Sequence, residues 1–437
     1  MVRTLTCGGG THEDQLFAGL SGVCQPNWVH CVIVRQAVVL VGGKGTRLGE
    51  LTRNTPKPLL EIDAGLRFLD VVLEEIARRG FTDIVLLAGH LGDQVETAYH
   101  HRQIYQVRVR VIREIEPQGT GGALRFAAAE LDPWFLMLNG DSLFEFNYRE
   151  LARLPGPGVL GRLALRTVPD PGRYGAVTVE AGRVTQFLEK NPDLKGPALI
   201  NGGVYLLSRE VLGLIDGPCS IEQDVFPRLA KAGALEARAF DGYFLDIGLP
   251  NTYAQAKAEV PARRRRPCAF LDRDGTLNID KGYTHKPEDL VWMPSAIPAI
   301  KRLNESGHYV IVVTNQAGVA RGYYTEADMH AFHAEMQAQL ADAGAWIDAF
   351  YHCPYHADGK VPAFTDANHP DRKPNPGMLL RAFNEWPIIR ETSFMIGDAD
   401  LDIAAAKAAG IPGYCYEGGD LDALVAEVLA SAADTVD

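Results

Sequence analysis

No run of apolar residues in this chain reaches the roughly 18 to 20 that a bilayer span requires. A paired cysteine framework is missing too. The seven thiols are an odd number, scattered at Cys7, Cys24, Cys31, Cys219, Cys268, Cys353 and Cys415, which fits reduced thiols and a cytoplasmic setting. Nor is there an excess of basic charge. Lys and Arg number 43 against 55 Asp and Glu, a formal charge of −12. That balance excludes a general nucleic-acid binder, whose face would be basic. Small phosphorylated ligands stay open, because a local cluster of cations suffices for them. Residues 1–33 lack a basic start followed by an apolar core, so no secretory signal is expected there. This Gly-rich segment is expected to be a disordered extension, or an upstream start that the native protein does not use. A chain beginning at Val34 should keep its activity.

What is present speaks for two domains, since 437 residues are too many for one ordinary core. From residue 36 the order is strand, loop, helix, repeated. "QAVVLV" is a β-branched run, "FLDVVLEEIARRG" has helical apolar spacing, and "DIVLLAG" and "WFLMLNGD" read as strands. Such alternation implies a sheet covered on both faces. At 255–267 the character changes to "QAKAEVPARRRRP", with two prolines and four arginines in a row. The reading is a solvated linker rather than an anion patch. A second αβ series then starts at Cys268. It includes "YVIVVTN", "SFMIGD" and helices near 325–343, 400–409 and 420–434. The expected boundaries are an extension at 1–33, a first domain at 34–258, a linker at 259–267 and a second domain at 268–437.

The first strand runs into "GGKGTRL". Glycines there let the backbone approach a ligand and turn N–H groups toward phosphate oxygens. Arg47 lies inside that loop and Lys57 in "TPKPLL" beyond it. Two fixed cations beside a glycine cradle suit a triphosphate, whose charge must be neutralised before a nucleophile approaches. "GGxGTRL" followed by "PKPL" resembles the sugar-1-phosphate nucleotidyltransferases, over roughly residues 36–258, and further matches follow in the family's order. The resemblance implies nucleotide contacts at Gly42, Gly43, Gly45 and Thr46, and at Gly119, Thr120 and Gly121 of "EPQGTGGAL". It implies Mg²⁺ ligands at Asp141 of "LNGD" and Asp246 of "YFLDIGLPNTY", with Glu189, Lys190 and Asn201 meeting the sugar phosphate. Arg47 and Lys57 take catalytic roles. Two carboxylates far apart in sequence can converge on a hard cation, and positioning and charge stabilisation are then the protein's main work.

In the second half, "FLDRDGTLN" ends an apolar run in Asp272 and Asp274. An acid at a strand end can attack phosphorus, and a second acid two residues on can give and take a proton. The segment resembles the haloacid dehalogenase-like (HAD) phosphatases over roughly 267–430. The resemblance implies an aspartyl phosphate on Asp272, acid–base work by Asp274, a phosphoryl grip by Thr314 and Lys373, and Mg²⁺ on Asp272, Asp274 and Asp398, with Asp402 behind. "VTNQAGVARGYYTEADM" and "GYTHKPEDL" look like the branch that removes the 7-phosphate of D-glycero-D-manno-heptose 1,7-bisphosphate. Arg372 matches a substrate-phosphate contact of that branch. The branch commonly holds zinc on Cys-x-His and Cys-x-Cys. Here Cys353, His356, His369 and Asp371 stand in those places, and the two missing thiolates argue against zinc.

The two expected activities would be consecutive, because the phosphatase yields the heptose 1-phosphate that the transferase consumes. The combination is similar to the GDP-heptose route, with GTP and heptose phosphates as partners. Rivals are UTP, CTP or dTTP with another sugar phosphate, a histidinol-phosphatase-like second half, and a sensor without turnover. The expected fold is α/β: a Rossmann-like αβα nucleotidyltransferase sandwich, then a HAD-like doubly wound parallel sheet.

Overall fold

The structure, a computed structural model, describes residues 33–169, 171, 176–188 and 196–433. Among these, no helix is long and apolar enough to cross a membrane. The extension at 1–32, together with Glu189 and Lys190, lies outside the described residues. The chain divides into two compact units, one spanning Val34–Arg265 and one beginning at Arg266.

The first unit is built on a ten-stranded sheet. Its middle is Gln36–Leu40, paired in parallel with Asp83–Ala88 on one side and Trp134–Asn139 on the other. Val107–Arg113 continues the parallel set beyond Asp83–Ala88. Ala198–Ser208 runs antiparallel beside Trp134–Asn139, and Gly161–Val168 lies beyond it. Val38 and Val39 are both fully buried although they point to opposite faces, as expected of a strand covered on two sides. Phe68–Ala77 covers one face with Phe68, Leu69, Val72, Leu73 and Ile76. Phe135, Met137, Tyr205, Leu207 and Phe226 form a second cluster on the other. The register slips between Asn201 and Tyr205. Asn201 closes that bulge itself, accepting from Gly203 N at 3.0 Å and donating to the Tyr205 hydroxyl at 2.9 Å.

The segment read as a linker is structured. Pro250–Arg264 is one helix that belongs to the first unit. Val260 is fully buried. Arg264 makes two bonds of 2.7 and 2.6 Å to Glu74, and Arg263 reaches Glu145 at 2.8 Å. Two of the four arginines therefore find carboxylates distant in sequence, which composition cannot reveal.

The second unit carries a five-stranded sheet, all parallel, in the order Ala349–Cys353, Tyr309–Asn315, Cys268–Leu271, Phe394–Gly397, Gly413–Cys415. Chain order reverses at the central strand, so its carboxyl end opens a crevice, the usual ligand position in such sheets. Asp272 is the next residue. The helix Glu326–Ala343 starts at a reciprocal cap. The Thr325 hydroxyl accepts from Asp328 N, the Asp328 carboxylate accepts from Thr325 N, and Gly344 closes the far end at φ 76°.

A fragment ending at residue 258 should be less stable than one ending at Arg265. It loses the buried Val260 and both arginine pairs, and we expect a deficit of at least ~2 kcal/mol in thermal or urea unfolding.

Candidate active sites

A cavity of about 380 Å³ opens at the carboxyl ends of the parallel strands in the first unit. Gly42, Gly43, Gly45, Thr46 and Arg47 line it from the first loop, Lys57 from the next, and Gly119 and Thr120 from the third. Gly119 has φ +71°, and a Cβ there would lie 2.4 Å from Cys219 O. Glycine is thus required by conformation and by close approach. Gly121 stands behind the cavity wall, its N–H donating to Cys219 O at 2.9 Å. Asn201 is not among the lining residues, its side chain being engaged in the bulge.

Asp141 ends the strand Trp134–Asn139 region and Asp246 ends Phe244–Asp246, so their convergence is a product of the fold. Ser142 Oγ lies 3.3 Å from a carboxylate oxygen of each. The Lys57 ammonium sits between them, 2.6 Å from Asp141 and 3.9 Å from Asp246. Burial, then the charge of Asp141, raises the Asp246 pKa against the pull of Lys57. Two carboxylates converging on one point are a fit donor set for a hard divalent cation.

The second site is tighter. Lys373 is buried, with its Nζ 2.5 Å from Asp272, 2.6 Å from Asp402 and 2.9 Å from Val313 O. Asn315 fixes the backbone of that lysine, donating to Lys373 O at 3.1 Å and accepting from Lys373 N at 3.0 Å. Burial lifts the Asp272 pKa to about 7, against the attraction of Lys373, while Asp402 and Asp274 push it in the same direction as burial. Asp272, Asp398 and Asp402 are the one trio of carboxylates among the described residues whose oxygens lie within 4.8 Å of one another. This acidic set also fits a divalent cation, although Asp402 is committed to Lys373 and to capping Ala399 N. Gly275 has φ +88°, and a Cβ would fall 2.2 Å from Asp398. No other residue lets that carboxylate come so near.

Sequence reasoning passed over three residues here. Arg273 is fully buried and donates to both oxygens of Asp274, at 2.9 and 2.7 Å, and to Thr284 O. Its NH1 lies 3.2 Å from His333 Nε2. Arginine only donates, so that nitrogen is the acceptor and the ring proton sits on Nδ1. Gln316 Nε2 donates to Asp274 and to Thr314 Oγ1, both at 2.8 Å. The Tyr324 hydroxyl orients the same amide through Gln316 Oε1 at 2.6 Å. The signal for Gln316 was its place in "VVTNQ", two residues after Thr314. Nothing local marked Arg273 as more than a charged neighbour.

The four residues at the zinc positions are engaged separately. His369 stacks on Tyr355 with ring centroids 3.8 Å apart. Asp371 pairs with Arg381 at 2.6 Å. His356 Nδ1 accepts from Asp358 N, and Cys353 is buried at a strand end. Arg372 donates to Tyr355 O at 3.0 Å, and burial, with Arg321 nearby, lowers its pKa.

Residues 36–263 match the family described as nucleotidyl transferase. The chain belongs to that family. Its other half is a HAD-like phosphatase: residues 371–436 match the HAD-hydrolase-like family. A D-glycero-beta-D-manno-heptose-1,7-bisphosphate 7-phosphatase of Rhodopseudomonas palustris is 48% identical over 165 residues, 38% of this chain and 91% of that protein. The transferase half is 35% identical over 227 residues to a mannose-1-phosphate guanyltransferase of Aspergillus oryzae, covering 50% of this chain and 62% of that protein. HddC from Yersinia pseudotuberculosis is a solved neighbour at 28% identity, covering 52% of this chain and 100% of that one, with a TM-score of 0.47. The chain is thus an enzyme that joins a nucleotidyltransferase to a phosphatase.

Asp272→Asn gives a prediction with a sign. With no metal bound, the folded protein keeps a proton on Asp272 between the ordinary carboxylate range and about pH 7, where the unfolded chain has lost it. Stability therefore falls as pH rises through that window. In chelator, melting temperatures measured from about pH 5 to pH 8 should fall less for Asp272→Asn than for wild type. The variant should release no phosphate and should keep its transferase activity.

Proposed function

We propose that the chain performs two consecutive steps of nucleotide-sugar synthesis. The phosphatase half removes the 7-phosphate of D-glycero-D-manno-heptose 1,7-bisphosphate, and the transferase half joins the resulting heptose 1-phosphate to GTP, releasing pyrophosphate. One observation carries this reading: a half that resembles a 7-phosphatase over nearly that enzyme's full length is joined to a nucleotidyl transferase half similar to a mannose-1-phosphate guanyltransferase.

In the phosphatase half, Asp272 attacks the phosphoryl group and Lys373 neutralises it. Thr314, held by Gln316, grips a phosphoryl oxygen. Asp274 gives a proton to the leaving alcohol and later takes one from water. Arg273, Asn278 and Gln316 donate to its side chain and fix its orientation. Mg²⁺ held by Asp272, Asp398 and the Asp274 carbonyl would offset repulsion between the carboxylate and an anionic phosphate. Arg372, with Arg321 beside it, suits a second phosphate on the substrate, in keeping with a bisphosphate.

In the transferase half, Arg47 and Lys57 receive the triphosphate, and Asp141 and Asp246 would hold Mg²⁺. Glu189 and Lys190 are proposed to meet the sugar phosphate. For the base, Glu114 supports guanine. It lines the cavity, Oε1 is buried without a partner, and burial raises its pKa. Guanine offers two adjacent N–H donors on its Watson–Crick edge, and the guanyltransferase relatives point the same way.

The test is mass spectrometry of products from both anomers of heptose 1,7-bisphosphate with a mixture of nucleoside triphosphates. GDP-heptose, phosphate and pyrophosphate are expected, and a pyrimidine nucleotide-sugar as the main product would overturn the assignment of GTP. A second prediction concerns the base. The wild type should prefer GTP to ITP, which lacks the 2-amino group, by about 10- to 100-fold in kcat/KM, and Glu114→Gln should erase most of that preference.

A further inference from the structure

Glu222 reaches the transferase cavity from outside the loops that the family signature marks. It lies on the π-helical turn Ile221–Val225, a kind of turn found often at functional sites. Ser220 caps the turn, its hydroxyl accepting from Gln223 N at 3.2 Å. The Glu222 side chain lines the cavity. Its Oε2 accepts from the Thr120 hydroxyl at 2.7 Å and the Ser220 hydroxyl at 3.0 Å. Its Oε1 accepts no bond among the described residues.

The surroundings make this a braced acceptor rather than a loose surface acid. Thr120 Oγ1 also accepts from Ile221 N at 2.9 Å. Gly121 N donates to Cys219 O and Cys219 N to Gln118 O, each at 2.9 Å. Thr120, expected from the sequence to touch nucleotide, has therefore spent its proton on Glu222. The carboxylate is what this loop presents to the cavity.

Position and charge narrow the ligand group. Tyr205 is near enough to feel the charge of Glu222. Glu222 is tied through Thr120 to the 119–121 loop, and with the base given to Glu114 a ligand hydroxyl is left for Glu222. An ionised carboxylate repels phosphate oxygens, whereas an O–H donor gains a charge-assisted bond.

We propose that Glu222 Oε1 receives a hydroxyl group of the bound ligand, from the ribose of the nucleotide or from the ring of the sugar 1-phosphate, and so acts as a specificity-determining residue of the transfer reaction. The inference rests on the transferase reading given above and deepens it.

The experiment uses the full chain and measures pyrophosphate release by wild type and Glu222→Gln. One arm compares GTP with 2′- and 3′-deoxyGTP at fixed sugar 1-phosphate. The other compares the sugar 1-phosphate with its 2-, 3- and 4-deoxy analogues at fixed GTP. The readout is the ratio of kcat/KM between each hydroxyl and deoxy pair, which does not depend on the fraction of variant that is folded. Wild type should discriminate by about 10- to 100-fold at one hydroxyl, and Glu222→Gln should reduce that ratio to below about threefold, chiefly through KM. The arm in which this happens identifies the source. Equal ratios for wild type and variant at every hydroxyl overturn the proposal alone. No turnover by the wild type with any pair overturns the transferase reading, and this inference falls with it.

Discussion

Two carboxylates that share a poorly solvated cleft cannot both stay ionised without positive charge between them. Each half of this chain meets that constraint with a lysine. Lys57 stands between Asp141 and Asp246, and Lys373 between Asp272 and Asp402. The arrangements differ in degree. Lys57 faces a cavity, and its two aspartates keep about a third of their side-chain surface exposed. Lys373 and Asp402 are sealed, and Asp272 nearly so. The first suits an ammonium that can turn toward an arriving polyanion. The second suits a fixed charge, held by Asn315 and Val313 as firmly as by its acidic partners.

Around these centres, backbone geometry decides what can approach. Gly275 lets Asp398 close on the Asp272 loop, and Gly119 lets its own loop lie flat on Cys219. In both places a Cβ would meet an oxygen at well under contact distance. The glycines of the two sites thus serve contacts within the protein as much as contacts with ligand. The same holds for hydroxyls: Thr120 braces Glu222, and Thr314 is oriented by Gln316 before any phosphate is considered.

Much of this was legible in the sequence, because it is encoded locally. Burial on both faces of "QAVVL" follows from its composition. "LNGD" and "FLDRDGTLN" place acids at strand ends. The parts that were not legible depend on partners far along the chain. "ARRRRP" has the composition of a linker, yet Arg264 finds Glu74 and Arg263 finds Glu145. Arg273 gives no sign in sequence that it would be fully buried against Asp274 and His333. Asn201 closes a bulge with its own side chain, a consequence of a register slip that periodicity cannot encode. Glu222 sits in "SIEQDV", where nothing but its meeting with Thr120 singles it out.

The contact between Arg273 and His333 reaches further than packing. His333 gives its Nε2 lone pair to a guanidinium and stacks on Phe350. Burial, and then the charge of Arg273, holds its pKa well below the usual imidazole value. A proton on that nitrogen would cost the bond and set two buried cations side by side. The imidazole is therefore held in its neutral form, as an acceptor for the guanidinium. Asp274 is thus held by an arginine whose other nitrogen is fixed by a neutral imidazole.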